Sequence, residues 1–263
     1  MARFNVGIDT GGTYTDAVIV DLQKRTVIAS AKAVTTYGDL SIGVSNALAS
    51  VLSDAGDDFA RDDIGLVSVS TTLATNALVQ GQGAAVMAIL IGFDDQMVER
   101  TRILDAIPDT NIVRLSGGHD HTGFEAEPLD IETLRRVVTE LRDKTDAFTV
   151  ASMYSVRNPS HEHQAQEIIR EITGRPLTVS SDLSDALDGP RRALTATLNA
   201  RIISRIVALI TAVRKSLAAE SIDSRLMIVK GDGSLASAEL VIERPIETIL
   251  SGPAASVIGA RYL

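Results

Sequence analysis

The sequence predicts an α/β protein with mixed sheets flanked by helices, and three stretches carry that prediction. Residues 5–20, Asn-Val-Gly-Ile-Asp-Thr-Gly-Gly-Thr-Tyr-Thr-Asp-Ala-Val-Ile-Val, read as strand, tight turn, strand, because apolar residues flank two adjacent glycines. Residues 66–70, 71–78 and 84–91 read as strand, helix, strand with short joints, a βαβ unit whose crossover is expected to be right-handed. Apolar residues at Leu194, Leu198, Ile202, Ile203, Ile206, Val207, Ile210, Val213 and Leu217 follow the spacing of one long helix.

The remaining elements follow in order. Residues 26–33 form a third strand, and Asp39 or Ser41 caps a helix running to about Leu52. Residues 53–63 carry Asp54, Asp57, Asp58, Asp62 and Asp63 at spacings that miss the calcium-loop template, so a solvated loop is expected. The apolar run 84–91 suits a strand buried on both faces. Residues 92–129 are the least regular, and there His119 and His121 flank Asp120. A metal site needs three or four converging ligands, so the expectation is an exposed polar turn. Leu134, Val137, Val138 and Leu141 have helical spacing, and 147–151 is a strand. Pro159-Ser160 opens a helix to about Ile172; His161 and His163 lie on different faces of it and share no metal. Residues 177–180 make another strand.

Asp188-Gly189-Pro190 starts the long helix, with proline in the first turn where its missing N–H costs nothing. Continued to Ala219 it is about 45 Å long, and it is expected to cross between two subdomains. A strand at 226–229 leads to Lys230-Gly231-Asp232-Gly233-Ser234, which reads either as a loop over a ligand or as an Asp-Gly hairpin turn. Near the end, Ser251 is a candidate cap and Pro253 lies in the first turn of a helix whose bare N–H groups could receive an anion. The expected division is 1–187 and 188–263.

Composition narrows the function. With 263 residues, 45% of them hydrophobic, the chain can bury a real core, which must be aliphatic because only 3% are aromatic. A net charge of −9 opposes nucleic-acid binding. The absence of cysteine excludes disulfides, thiolate zinc and a cysteine nucleophile, and fits a cytoplasmic location. No signal core opens the chain, and its longest apolar run falls far short of the roughly 20 residues of a membrane span.

The chemistry sits at the opening hairpin. Asp9 ends the first strand with no Lys or Arg within five residues. Gly11 and Gly12 can take positive φ and admit a close ligand, while Thr13 and Thr15 bring hydroxyls. A carboxylate beside bare N–H groups and hydroxyls suits hydrated Mg2+ and a phosphate chain. It is not a Walker A loop, which needs a following lysine, nor a dinucleotide fingerprint, because strand and not helix follows the glycines. A hairpin whose glycines serve geometry alone is the other reading. Ile8-Asp9-Thr10-Gly11, with Ile89-Leu90-Ile91-Gly92, also resembles the aspartic-protease triplet and its support, but the helix content opposes that remote alternative.

Four stretches in order resemble the hydantoinase/oxoprolinase family, in particular the N-terminal portion of hydantoinase A-like proteins. They are Gly7 to Asp16, Ser70-Thr71-Thr72-Leu73-Ala74-Thr75-Asn76-Ala77-Leu78, Asn158-Pro159-Ser160-His161-Glu162 and Leu250-Ser251-Gly252-Pro253-Ala254-Ala255. The resemblance implies a ribonuclease H-like/actin-like ATPase fold built on a five-stranded mixed sheet. It implies an ATP-dependent hydrolase of cyclic amides of the hydantoin or 5-oxoproline class, with ATP and Mg2+ as cofactors. The alternatives are an ATP-dependent carboxylase subunit for a ketone, or a non-catalytic, partner-binding half. Asp9 would be the catalytic residue and hold Mg2+ through water, Gly11 and Gly12 would contact phosphate through the backbone, and Thr13 and Thr15 through hydroxyls. Asp16 would point into the cleft or cap the turn. A second subunit of the hydantoinase B type and a homo-oligomer are the partners left open. Two departures stand out: Ser70 replaces a histidine frequent in the family, and a second Asp-x-Gly-Gly-Thr loop is absent. The expectation is therefore the N-terminal part of a longer protein, incomplete at the C-terminus and inactive alone.

Overall fold

The computed structural model describes residues 2–36, 38–81 and 83–262, and the chain forms two compact units. The first takes residues up to Gln80 and those from Arg205 onward; the second is Gly81–Ser204. The first unit opens with β1 (Phe4–Thr10), β2 (Tyr14–Asp21), β3 (Thr26–Val34), α1 (Leu40–Ser53), β4 (Ile64–Thr71) and α2 (Leu73–Val79). The second holds β5 (Val86–Ile91), α3 (Asp95–Thr101), β6 (Ile112–Leu115), β7 (Gly118–His119), β8 (Glu125–Glu127), α4 (Ile131–Leu141), β9 (Ala147–Ser152), α5 (Ser160–Thr173), β10 (Leu177–Val179) and α6 (Ser180–Leu183). Helix α7 (Gly189–Ala219) begins in the second unit and ends in the first, as expected of the long helix. There β11 (Arg225–Val229), β12 (Leu235–Ser237), α8 (Ala238–Glu243) and α9 (Ser251–Tyr262) complete the chain. These units group the chain by compactness, whereas 1–187 and 188–263 divide it by sequence region.

In the first unit six strands run in the order β12-β11-β4-β1-β2-β3. The pairs β1–β2, β2–β3 and β11–β12 are antiparallel, while β1–β4 and β4–β11 are parallel. This is the mixed sheet of the ribonuclease H-like/actin-like ATPase fold, with β12 as a sixth strand. The Lys230–Ser234 turn makes it, so the Asp-Gly hairpin reading holds there; Lys230 N–H donates to the Ser234 carbonyl at 2.8 Å. Period-two alternation divides β1 sharply. Phe4, Val6, Ile8 and Thr10 are buried; Asn5, Gly7 and Asp9 face the other way. Helix α1 packs against β2 and β3 and buries Leu40, Val44, Ala47, Leu48, Val51 and Leu52. Each fully buried aliphatic side chain is worth about 1.5–3 kcal/mol. Asp39 caps α1, accepting from Ser41 N–H at 2.9 Å.

The predicted βαβ unit does not form. Strand β4 lies in the six-stranded sheet and β5 in another sheet. Both edges of β4 are taken, by β1 and by β11, so β5 has no place beside it.

The second unit has a four-stranded, all-parallel sheet in the order β10-β9-β5-β6. Every residue of β5 and β9 is buried. Alternate side chains feed two cores. Val86, Ala88 and Leu90 pack with Phe93, Val98, Ile103 and Ala200, while Met87, Ile89 and Ile91 pack with Leu134, Val138, Phe148 and Ile169. Among the described residues α7 alone is long and apolar enough to cross a membrane, yet 61% of its apolar window is buried within the protein, as in a core helix.

Asn158-Pro159-Ser160-His161-Glu162 grips the β7–β8 hairpin. Asn158 Nδ2 donates to the Gly123 carbonyl at 3.1 Å, and Gly118 N–H donates to His161 Nδ1 at 2.9 Å. The ring proton of His161 therefore sits on Nε2, which faces Glu125 Oε1 at 2.8 Å. His119 is buried, not exposed as expected: the start of α5 covers it, with its ring 4.4 Å from the His161 ring and Nε2 at 3.1 Å from Ser160 Oγ. His121 is exposed. No group of three or more His, Asp or Glu that could hold a metal occurs among the described residues. Beside the hairpin two opposite charges are buried. Glu162 accepts from Ser152 N–H, Ser180 Oγ and Ser181 N–H, at 2.6, 2.7 and 2.9 Å. Arg192 donates to Ser152 O, Ser155 Oγ and Ser180 Oγ, at 2.9, 3.0 and 3.4 Å, so the Ser180 hydroxyl links the two charges.

Removing the acid alone strands the guanidinium, so Glu162→Ala should cost about 3–5 kcal/mol in denaturant unfolding. Burial holds His119 below the ordinary histidine value; His161 adds to this, while Glu125 and Asp120 oppose it. Below about pH 6.5 the unfolded chain binds a proton that the folded site resists, so stability falls as pH drops through and below that value. Melting temperature followed from about pH 8 to about pH 5 should show the decline, and His119→Phe should flatten it.

Candidate functional site

The turn between β1 and β2 is closed by Gly11 N–H donating to the Tyr14 carbonyl at 2.9 Å. Gly11 is not in the left-handed region. It is glycine because a Cβ there would lie 2.9 Å from the Tyr14 carbonyl oxygen. Thr35, just past β3, holds the turn from beneath. Its N–H donates to the Thr13 carbonyl at 2.9 Å and its Oγ1 to the Gly11 carbonyl at 3.0 Å. Thr15 does not join the exposed loop. It is 1% exposed, and its hydroxyl is 3.0 Å from Thr35 Oγ1. Gly11 and Gly12 are half-buried and Thr13 is exposed.

Register places four polar residues in one row across the sheet: Ser70 on β4, Asp9 on β1, Asp16 on β2 and Lys32 on β3. Asp16 pairs with Lys32, Oδ1 to Nζ at 3.1 Å, so it neither caps the turn nor stands uncompensated. Asp9 has no ion pair among the described residues. Its Oδ1 accepts from Ser70 Oγ at 2.6 Å. Both acids line a cleft of about 190 Å³ with Gly7, Val18, Ser68, Ser70, Val229 and Ala255.

Helix α9 begins against this row. Ser251 is not a simple cap: its Oγ accepts from Thr71 N–H at 3.2 Å and donates to the Thr71 carbonyl at 2.9 Å, fixing the helix to the end of β4. The end of β4 is fixed in turn to β1, because Thr71 Oγ1 and Thr72 N–H both donate to the Thr10 carbonyl, at 3.0 and 3.1 Å. A Cβ on Gly252 would stand 3.1 Å from Thr72 Cγ2 and 3.7 Å from Asp9 Oδ1, so the helix start abuts the carboxylate. The positive end of a helix favours negative charge nearby. An acid without a cation, an accessible glycine turn and a helix N-terminus on one face form a surface suited to a hydrated divalent cation and an anionic chain.

Sequence reading missed Thr35, for which no local pattern exists, and the placement of Ser70 and Gly252, which depends on strand register. The aspartic-protease reading fails. Asp9 sits in a mixed sheet within a helix-rich chain, and Ile89–Ile91 belong to the other compact unit.

Family models match the chain almost from end to end: the hydantoinase/oxoprolinase N-terminal region at 5–173 and the hydantoinase/oxoprolinase domain at 192–263. An acetophenone carboxylase gamma subunit of Aromatoleum aromaticum is 30% identical, across 98% of this chain and 39% of its own length. A caprolactamase subunit alpha of Pseudomonas jessenii is 27% identical, across 97% and 39%. The chain thus spans about two fifths of the length of each of these two relatives. Among solved structures, nucleotide-free acetone carboxylase superposes with a TM-score of 0.80 at 22% identity, covering 98% of this chain and 40% of that one. ATP-dependent caprolactamase from Pseudomonas jessenii gives 0.76 at 24% identity, covering 95% and 39%. At such identities the structures share the fold. The glycine hairpin, the Thr-Thr helix start and the Ser-Gly-Pro helix converge on one face, and the family models cover both sequence regions: the chain belongs to the hydantoinase/oxoprolinase family.

Proposed function

We propose that this chain supplies one side of a Mg·ATP site in an enzyme that opens a cyclic amide of the hydantoin or 5-oxoproline class. The observation that carries the reading is Asp9, in no ion pair among the described residues and flanked by the Gly-Gly turn and the start of α9. Membership of a family whose relatives include a caprolactamase and a 5-oxoprolinase supports the substrate class.

An unstrained amide carbonyl is a poor electrophile; ATP held here would supply a phosphoryl group to its oxygen, activating the carbon to water so that the C–N bond opens with release of ADP and phosphate. The chain's own task is positioning and charge neutralisation. Asp9 would hold the metal through water. Gly11, whose N–H is committed to the Tyr14 carbonyl, shapes the turn; Gly12 would bring the chain close to phosphate oxygens, and Thr13 would present its hydroxyl. Thr15 and Thr35 keep the turn in shape from below. Lys32 keeps the Asp16 charge partnered, leaving Asp9 as the acid for the cation.

A second reading, an ATP-dependent carboxylase subunit acting on a ketone, is favoured by the 30% identity to an acetophenone carboxylase subunit. The acetophenone carboxylase and caprolactamase relatives are both subunits, which supports a second subunit as partner.

Asp9→Asn should weaken magnesium-dependent ADP binding at least about tenfold, or roughly 1.4 kcal/mol, in calorimetric titrations with and without EDTA. Unchanged binding and ATP turnover would remove Asp9 from the site. ADP release by the complete assembly should rise with hydantoin, 5-oxoproline or a lactam; stimulation only by a ketone plus bicarbonate would favour the carboxylase.

A further inference from the structure

We infer that Ser70 is the positioning residue of this site: its hydroxyl holds one oxygen of Asp9 and so aims the other at the bound cation. The inference rests on the nucleotide-site reading above. Ser70 lies directly beside Asp9 in the parallel β1–β4 register, and its Oγ is 2.6 Å from Asp9 Oδ1. A hydroxyl donating to a carboxylate at that distance makes a charge-assisted hydrogen bond. Ser70 is 6% exposed, so water competes little for it.

The choice of donor matters. An Arg or Lys at this position would orient the carboxylate and also neutralise it, as Lys32 does for Asp16 at 3.1 Å. A serine orients it and leaves the full negative charge for the metal. Gly252 closes the same side, since even a Cβ there would stand 3.7 Å from Asp9 Oδ1. Among the described residues no hydrogen bond reaches Asp9 Oδ2. One oxygen is therefore held by the protein and the other remains for a metal-bound water. Without the Ser70 hydroxyl the carboxylate can turn about its own side-chain torsions, and a free side chain loses rotamer entropy on every binding event.

The test compares Ser70→Ala with Ser70→Thr, which keeps the hydroxyl on a residue type that strands favour. Ligand-free crystal structures should show Asp9 rotated from its present rotamer in Ser70→Ala and retained in Ser70→Thr. In titrations with ADP, the affinity gained on adding Mg2+ should fall roughly fivefold to tenfold in Ser70→Ala, the loss expected for one such hydrogen bond. Affinity in EDTA should stay within about twofold, and Ser70→Thr should recover most of the magnesium effect. An Ala variant with Asp9 unmoved, or with the wild-type magnesium effect, overturns the inference alone. A complete wild-type assembly without magnesium-dependent ADP binding overturns the nucleotide-site reading and this inference together.

Discussion

The parallel pairing of β1 with β4 is the contact on which the candidate site depends. It puts Ser70 beside Asp9, delivers the Thr71 hydroxyl and the Thr72 amide to the Thr10 carbonyl, and presents Thr71 to Ser251 at the start of α9. Three elements remote in sequence thereby meet within one hydrogen-bond network. A slip of one residue would turn Ser70 to the buried face and separate it from the acid. The apolar side of β1 holds the register in place, because Phe4, Val6 and Ile8 lose their buried positions if it shifts.

Much of this was readable in the chain because local rules and tertiary structure agree. The Gly-Gly hairpin, the Asp39 cap and the long helix rest on turn chemistry and periodicity alone. The inward direction of Thr15 overturned its assignment to phosphate, although its shared parity with Ala17 and Ile19 carries that direction. What stayed hidden was the choice of partner. Strand β5 has the apolar run of a central parallel strand, but nothing within it says that β6 and β9, and not β4, lie alongside. His119 follows the same logic: its neighbours in sequence are polar, and only the approach of α5 buries it. Ser70 could be seen as a departure from the family, but its hold on Asp9 depends on cross-strand register.

The second unit uses polar groups differently. Glu162 and Arg192 are almost wholly buried; Glu162 is bonded to Ser152, Ser180 and Ser181, and Arg192 to Ser152, Ser155 and Ser180. Every such bond fixes a loop that apolar packing alone would leave free to shift. The Asn-Pro-Ser-His-Glu stretch therefore reads as a clasp on a hairpin, with its conspicuous histidine spent on a backbone amide.

The two units also differ in how the ribosome delivers them. The second is one unbroken segment, 81–204, whose core strands and helices emerge in succession. The first is interrupted by it: β1 to β4 are synthesised early, yet β11, the strand that covers the remaining edge of β4, follows only after the whole insertion. Domains fold as units during synthesis, and an uncovered strand edge invites wrong pairing. The nascent chain thus carries an unfinished sheet while the inserted unit can already close, and the glycine hairpin reaches its final surroundings last although it is made first.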